Sequence, residues 1–295
     1  MLNIKDIREK RARNPEPPEI AEIRRIVKER FTGLEFIEDG HKYFLHKPNG
    51  EVTEMTCVSN ICHRYEPFVD WEEKAQNVAT KEGVETEVVQ RRWKENNLMA
   101  TSGGSLTHLF AEAYMYFYLD MVDEMPAIIR DMQYHDGFLV PYGQKQMAVA
   151  QFYEDLFQVD NFYPVMPEAK IYIVADDNPY GIKHNISGTF DALFAYKAKD
   201  GKFKLVLGDW KTNASLYKEF SINRGVMCNP PFDMEPYYNQ PLSFYTIQLT
   251  LYQLGLEQAG LEVVDRRLLW LTDDGEYQKI QVPLVKDLLL SDLCK

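Results

Sequence analysis

The sequence has few of the residues that mark secreted, disulfide-bonded or membrane-spanning proteins. Its 295 residues include four cysteines, at positions 57, 62, 228 and 294, and their spacing matches no paired zinc motif. No apolar run approaches the length of a membrane-spanning helix, and the first residues lead into a charged stretch rather than a secretory signal. We therefore expect a cytoplasmic protein with free thiols and no membrane partner, located in the host cytoplasm if a phage encodes it.

The sequence also has fewer positively charged than negatively charged residues. Lysine and arginine number 33 against 45 aspartates and glutamates, so the formal net charge is -12 at pH 7. Proteins that coat nucleic acid through bulk electrostatics are normally basic, and this composition argues against such a protein. An enzyme that binds its substrate in one basic groove is compatible with it. The sequence contains no Gly-X-X-X-X-Gly-Lys-Ser/Thr motif, so we expect no fused helicase motor.

The composition is that of a globular domain with a sizeable core, since 45% of the residues are hydrophobic. Two charged helical segments are expected in residues 1–30, on either side of a proline-rich break at 15–18. The turn dipeptides Asp39-Gly40 and Asn49-Gly50 predict a β-meander over 33–58. Residues 68–160 have mainly helical spacing, including a helix over 144–157, and the run Thr-Ser-Gly-Gly-Ser at 101–105 predicts a break.

The second half of the chain alternates between strand and helix patterns. Strands are predicted at 169–175, 186–196, 203–210, 266–271 and 277–282, with Asp200-Gly201 as the turn between the second and third. A helix is predicted over 242–258, where apolar residues recur at helical spacing. These patterns predict an α/β fold with a mixed central β-sheet flanked by helices. We place an N-terminal β-meander and helical accessory region at 1–100 and the core at 101–295.

The strand at 203–210 leads into the most informative residues. Leu205-Val206-Leu207 is apolar on both faces, as in a strand buried within a sheet, and Gly208-Asp209-Trp210-Lys211 follows directly. Side chains alternate along a strand, so Asp209 and Lys211 point the same way. A carboxylate and an ammonium at the end of a buried strand are costly to desolvate, which favours a functional role. A simple salt bridge between Lys211 and an aspartate is the alternative.

The preceding strand supplies a second carboxylate. Phe190, Ala192 and Phe194 are expected on one face, with Asp191 on the other. If the two strands pair through the intervening turn, Asp191 and Asp209 converge. Two converging carboxylates repel unless a cation lies between them, and hard oxygen ligands favour Mg²⁺ or Mn²⁺.

Further motifs accompany these two strands. They are Glu168, Gly188-Thr189-Phe190-Asp191, Asp209-Trp210-Lys211-Thr212, Gln248-X-X-X-Tyr252 and, upstream, Gly104-Ser105-Leu106-Thr107-His108 with Glu112. Their order and approximate spacing resemble the RecB-like exonuclease branch of the PD-(D/E)XK nuclease superfamily, which includes phage-type exonucleases. The resemblance covers about residues 100–285 and implies a restriction-endonuclease-like core over 101–295.

The resemblance implies a role for each matching residue. Asp191 and Asp209 would be the principal metal ligands, together with the backbone carbonyl of Trp210 and with His108, carried by a helix that caps the site. Lys211 would orient the attacking water and offset the charge that develops in the transition state.

The remaining matches each have an alternative interpretation. Glu168 would belong to the acidic cluster, with a strand-edge charge as the alternative. Gln248 and Tyr252 lie four residues apart on one helix face and would stabilise Lys211 or touch the DNA backbone; ordinary polar positions are the alternative. His108 could instead form a simple helix pair with the glutamate four residues later.

The resemblance also bears on cofactors. Mg²⁺ or Mn²⁺ is the expected metal. Several RecB-like nucleases carry an iron–sulfur cluster held by four cysteines, three of them closely spaced near the C-terminus. In this sequence Cys228 and Cys294 stand alone, so we expect no iron–sulfur cluster.

The expected activity is Mg²⁺-dependent hydrolysis of DNA phosphodiester bonds. An exonuclease acting on DNA ends or single strands, in recombination, repair or phage DNA metabolism, fits the resemblance best. A structure-specific or restriction-like endonuclease and a non-catalytic DNA-binding module with a nuclease fold are the alternatives. Expected partners are DNA and recombination or replication proteins. Candidate residues to line a DNA channel are Tyr114, Tyr116, Tyr118 and Arg91-Arg92-Trp93.

Overall fold

The computed structural model describes residues 1–175 and 177–295. Its helices are α1 (Ile4–Arg13), α2 (Pro18–Arg30), α3 (Val58–His63), α4 (Trp71–Glu82), α5 (Thr86–Tyr118), α6 (Ala127–Gln133), α7 (Gln144–Phe157), α8 (Glu219–Arg224), α9 (Pro241–Glu257) and α10 (Lys286–Leu293). Its strands are β1 (Leu34–Ile37), β2 (Lys42–His46), β3 (Val52–Cys57), β4 (Tyr134–His135), β5 (Phe138–Leu139), β6 (Phe162–Ile173), β7 (Ile186–Lys197), β8 (Phe203–Lys211), β9 (Val263–Leu271) and β10 (Tyr277–Gln281). A 3₁₀ turn covers Val122–Glu124. No helix in these two described ranges is both long and apolar enough to cross a lipid bilayer.

Elements with strong local signals are confirmed. The first two helices are separated at the proline-rich break, where Pro18 occupies the first turn of α2. The meander β1–β3 forms by antiparallel pairing around its two predicted turns. The helix predicted over 144–157 is α7, and the helix predicted over 242–258 is α9, which runs from Pro241 to Glu257.

The predicted helix break at 101–105 is wrong. Helix α5 runs without interruption from Thr86 to Tyr118 and includes both glycines of that run. The hydroxyls of Thr101, Ser105 and Thr107 each donate to the carbonyl four residues earlier, so these side chains stay compatible with helical backbone. Each glycine costs about 1 kcal/mol relative to alanine. Burial of the following turns offsets this cost, and the predicted boundary at residue 100 falls inside the helix.

One mixed sheet forms the centre of the molecule. Its strand order in the described part of the chain is β1-β2-β3-β7-β8-β9-β10, with β6 also paired to β7. The pairs β3–β7 and β8–β9 are parallel, and the other neighbours are antiparallel. Together with the helices around it, this confirms the predicted α/β fold with a mixed central β-sheet flanked by helices.

Two different strands pair with one edge of strand β7. Strand β6 pairs along the opposite edge from Ile186 to Tyr196. On the shared edge, β3 pairs with Ile186 and Ser187, whereas β8 pairs from Ala192 onward. Residues 188–191 therefore lie between the two partners, and the candidate site forms at this opening in the sheet.

Helices cover both faces of the sheet. Helix α9 packs on one face, in a core cluster that also includes apolar residues of α2, α3 and α10. Helices α5 and α7 pack on the other face, together with α1. On β8, Leu205 and Leu207 belong to the first cluster and Val206 to the second, and all three are buried, as predicted. Full burial of such a side chain stabilises the fold by about 1.5–3 kcal/mol, so this strand firmly anchors the residues that follow it.

Candidate metal and catalytic site

The alternation of side chains along β7 changes at Asp191. Phe190 belongs to the core cluster under α9, whereas Ala192 and Phe194 belong to the cluster under α5 and α7. The prediction that these three residues share one face is therefore wrong. At the same level of the neighbouring strand β6, Glu168 has a φ of 43° and interrupts the regular pleat, so the two strands are irregular at one place.

The same irregularity brings Glu168 into the site. Its two neighbours on β6 pair with Ala192 and Phe190, so Glu168 lies opposite Asp191. A residue other than glycine in the left-handed region carries backbone strain of about 1–3 kcal/mol, and such strain occurs preferentially at functional sites. The burial that packs β6 against β7 maintains this conformation.

Three side chains form a compact group of metal donors. One ligand atom from each of His108, Glu168 and Asp191 lies within 4.8 Å of the other two. A hexacoordinate Mg²⁺ or Mn²⁺ with bonds of about 2.1 Å has ligand atoms about 3–4 Å apart, so small rotations of these side chains would enclose an ion. The donor set of one imidazole and two carboxylates suits Mn²⁺ as well as Mg²⁺.

Asp191 is the best-anchored member of this group. Its Oδ2 accepts a hydrogen bond of 2.7 Å from the backbone N–H of Trp210 and lies 3.3 Å from Nδ1 of His108. Burial opposes the charged form of each side chain. Their mutual attraction outweighs it, so the pKa of Asp191 lies below its ordinary value and the pKa of His108 above its own. The backbone N–H of Trp210 therefore orients the carboxylate of Asp191, which is one of the candidate metal ligands.

Asp209 lies outside the compact group and pairs with Lys211. The Nζ of Lys211 is 2.6 Å from Oδ2 of Asp209, and both residues are buried, as the sequence predicted. Within the described residues, neither carboxylate oxygen of Asp209 accepts a well-aligned hydrogen bond. Burial raises the pKa of Asp209 to about 6 in spite of the neighbouring ammonium. Burial also disfavours the charged form of Lys211, but the attraction of Asp209 and Asp191 outweighs it and raises the lysine pKa, so Lys211 is protonated.

Helix α9 supplies the other neighbours of Lys211. The Oε1 of Gln248 lies 3.5 Å from the lysine Nζ, and the Nε2 of Gln248 donates to the hydroxyl of Tyr252 at 3.0 Å. Tyr252 is buried against Gly188, where a Cβ atom would come within 2.8 Å of the tyrosine ring. Gln248 therefore contacts Lys211 directly, while the hydrogen bond to Tyr252 fixes the orientation of the Gln248 amide.

Tyr245 is a site residue that the sequence motifs did not identify. Its ring centroid lies 4.0 Å from the Nζ of Lys211, and its hydroxyl donates to Oδ1 of Asn213 at 2.7 Å. The carbonyl of Asn213 in turn accepts a hydrogen bond from the indole of Trp270. A cation over an aromatic face gains about 0.5–2 kcal/mol. The signal was available, because Tyr245 precedes Gln248 by three residues on a predicted helix and so shares its face.

Negative charge is in excess at this site. Burial raises the pKa of Glu168 well above its ordinary value, and the nearby carboxylates of Asp191, Glu112 and Asp209 raise it further. Burial raises the pKa of Glu112 to about 7. Four carboxyl groups therefore surround one protonated lysine and one histidine. A divalent cation would offset much of this repulsion, so the residues present fit a metal ion.

Several of the residues expected to line a DNA channel pack against other parts of the protein. Tyr114 is fully buried and stacks on Tyr153 with ring centroids 4.9 Å apart, so its predicted channel position is wrong. Tyr116 and Tyr118 pack against the same core cluster. Arg91-Arg92-Trp93 lies on the N-terminal half of α5, where Arg92 pairs with a glutamate and Trp93 packs in a small helical cluster.

Comparison with known proteins adds no assignment. No protein-family model matches the chain, and a search of curated proteins finds no match to it.

Proposed function

We propose that this chain is a divalent-metal-dependent deoxyribonuclease that hydrolyses phosphodiester bonds. The observation that carries the proposal is the buried Asp209–Lys211 pair at 2.6 Å, next to the compact donor group of His108, Glu168 and Asp191. Buried ionic groups without a role are costly, and this arrangement supplies both a cation site and a fixed ammonium. The resemblance of the motifs to RecB-like PD-(D/E)XK nucleases supports the same reaction.

The donor group would hold the metal. His108, Glu168 and Asp191 would bind it, and Asp209 would contribute its charge or join the coordination after releasing Lys211. Bound Mg²⁺ or Mn²⁺ would supply a Lewis acid for the phosphate oxygens. Because the chain carries a net charge of -12, productive DNA binding at this site would require the cation.

Lys211 would act on the attacking water and on the transition state. An ammonium has three N–H donors, and Asp209 and Gln248 lie near two of them, which leaves one for a water molecule or a phosphate oxygen. The ring of Tyr245 covers another side of the ammonium and limits its movement. A cation fixed in this way costs no reorganisation when negative charge develops on the phosphorus-bound oxygens.

Within this reaction class we propose an exonuclease that acts on DNA ends or single strands, in recombination, repair or phage DNA metabolism, in the cytoplasm of the cell. The competing proposal is an endonuclease with the same site, and the two differ in their action on DNA without ends. A non-catalytic DNA-binding module would bind DNA and cleave neither form.

The decisive assay compares end-labelled linear DNA with circular single-stranded DNA, each with Mg²⁺, with Mn²⁺ or with EDTA. We expect metal-dependent degradation of the linear substrate and persistence of the circle. Asp209→Asn should lower the cleavage rate by about 100-fold or more. The variant loses the negative charge that holds Lys211 and favours the metal, and both would stabilise the transition state. Asp39→Asn, at an exposed turn, is the matched control and should retain full activity. Absence of cleavage by a folded, metal-bound parent protein would overturn the proposal.

A further inference from the structure

A cavity lies away from the candidate site. It has a volume of 360 Å³ and opens between α7 and the strands β7, β8, β9 and β10. None of its lining residues belongs to the metal-donor group or contacts Lys211. The floor is apolar, and its main side chains are Phe152, Leu156, Phe162, Phe194, Val206 and Leu269. A volume of about 300–1,000 Å³ with an apolar lining is typical of small-molecule sites.

The carboxylates at the rim of this cavity are already engaged. Asp155 accepts hydrogen bonds from Gln151 at 2.8 Å and from the hydroxyl of Tyr277 at 2.5 Å, one on each oxygen. Asp265 accepts from Gln281 at 3.0 Å on one oxygen and from Arg267 at 2.7 Å on the other. The acidic side chains therefore have little capacity left for a ligand that donates hydrogen bonds.

The cations at the rim, in contrast, keep free donors. Arg267 uses its Nε for Asp265, and its two terminal nitrogens make no hydrogen bond to any described residue. Lys279 has no ion-pair partner in the described ranges and lies 5.6 Å from the ring centroid of Phe152. In the β9–β10 register, Gln281 pairs with Arg267 and Lys279 with Leu269, so the two cations are neighbours on one face. The polar groups at this rim that remain free to bind a ligand are therefore the two cations.

We propose that this cavity binds a small anionic aromatic molecule. A planar ring would lie on the apolar floor against the edge-to-face pair of Phe152 and Phe194, whose ring centroids are 5.7 Å apart, and a carboxylate or sulfonate would accept hydrogen bonds from Lys279 and Arg267. A guanidinium whose terminal nitrogens are free pairs well with such a planar anion. The site is independent of the proposed nuclease activity, and binding is measured without any cleavage assay.

The test uses naphthalene-2-carboxylate as the probe and naphthalene-2-carboxamide as its neutral counterpart. We expect saturable one-to-one binding of the carboxylate by calorimetry, with a Kd in the range of about 20 μM to 1 mM for a ligand of this size. The carboxamide should bind at least about fivefold more weakly, because it cannot form the charged contacts.

Three variants locate the binding. Lys279→Glu reverses a charge at an exposed position and should weaken the carboxylate by about tenfold or more. Val206→Phe should abolish binding by filling the floor of the cavity. Gln278→Ala, at the neighbouring exposed position on the opposite face of β10, is the control and should bind normally.

Three results would overturn the proposal. One is a lack of saturation by the carboxylate at about tenfold the upper Kd given above. The others are equal binding of carboxylate and carboxamide, and unchanged binding by both Lys279→Glu and Val206→Phe. Circular dichroism melting of each variant shows that loss of binding is not loss of folding.

Discussion

Replacement of Lys211 by methionine tests how the buried ion pair contributes to stability. Lys211→Met keeps most of the hydrocarbon chain over Tyr245 but removes the charge that lies 2.6 Å from Asp209. In the metal-free protein, Asp209 would then be buried without its cationic partner. We expect its pKa, about 6 in the parent, to rise further.

The sign of the pH dependence follows from this shift. The folded-state pKa of Asp209 is raised from 3.8 to about 6, so the folded protein loses stability as the pH rises through that interval. Two pKa units correspond to about 3 kcal/mol. In Lys211→Met the loss continues to higher pH. At pH 8 the variant should be less stable than the parent by about 3–5 kcal/mol, the usual cost of removing one partner of a buried pair.

At pH 4.5 the same substitution should cost much less. Asp209 is then largely protonated in the folded state of both proteins, so its attraction to Lys211, which is larger than that of Asp191, is already absent from the parent. The difference between the two pH values should be at least about 2 kcal/mol. Loss of the Lys211 charge should also favour protonation of His108, because that ammonium opposes it in the parent, and this effect has the same sign.

The assay is urea unfolding in EDTA at pH 4.5, 6 and 8, followed by circular dichroism. Lys199→Met, at an exposed position, is the matched control and should be neutral within about 0.5 kcal/mol. An equal loss of stability at all three pH values would refute the ion-pair reasoning. The attraction between Asp209 and Lys211 would then not be the source of the lost stability.

Three further predictions concern the surroundings of this pair. Crystals soaked in Mn²⁺ should show anomalous density about 2.1 Å from donor atoms of His108, Glu168 and Asp191; density only near the cysteines would contradict the assignment. Glu112→Gln should stabilise the metal-free protein by about 1–2 kcal/mol at pH 8 and leave it unchanged at pH 4.5. The physical reason is that burial raises the pKa of Glu112 from 4.5 to about 7, so its ionisation opposes folding increasingly as the pH rises through that interval and fully above it. Unfolding curves at both pH values measure the effect. If the proposed function is right, Tyr245→Phe should retain cleavage within about threefold, whereas Tyr245→Leu should lose about tenfold or more in kcat with little change in KM, because the ring face contacts the Lys211 ammonium. Equal activity of the two Tyr245 variants in a steady-state assay would show that the ring does not position the lysine.

Much of the secondary structure was predictable because its signals are local. Turn dipeptides define the meander β1–β3, and helical spacing of apolar residues defines α7 and α9. The break predicted at 101–105 failed because a local glycine penalty of about 1 kcal/mol is small beside the burial of a long helix in the core. Gly104 also packs closely against Thr212, where a Cβ atom would lie 3.1 Å from the threonine hydroxyl. This contact was not visible in the sequence of the helix itself.

Some elements had no strong local signal and were found only in the structure. Helix α10 (Lys286–Leu293) follows the last predicted strand and buries Leu289 and Leu293 in the cluster under α9. Strand β6 begins at Phe162, before the predicted start, because it pairs along most of β7. In both cases the deciding contacts join residues that are far apart in the sequence.

The sequence by itself determined that Asp209 and Lys211 stand together at the end of a buried strand. The physical reason is the two-residue period of a strand, which is a local property that any sheet preserves. Only the tertiary structure decided that His108 and Glu168 form the compact donor group with Asp191, while Asp209 pairs with Lys211. That choice depends on the left-handed backbone at Glu168 and on the pairing of distant strands, which long-range packing rather than local pattern determines.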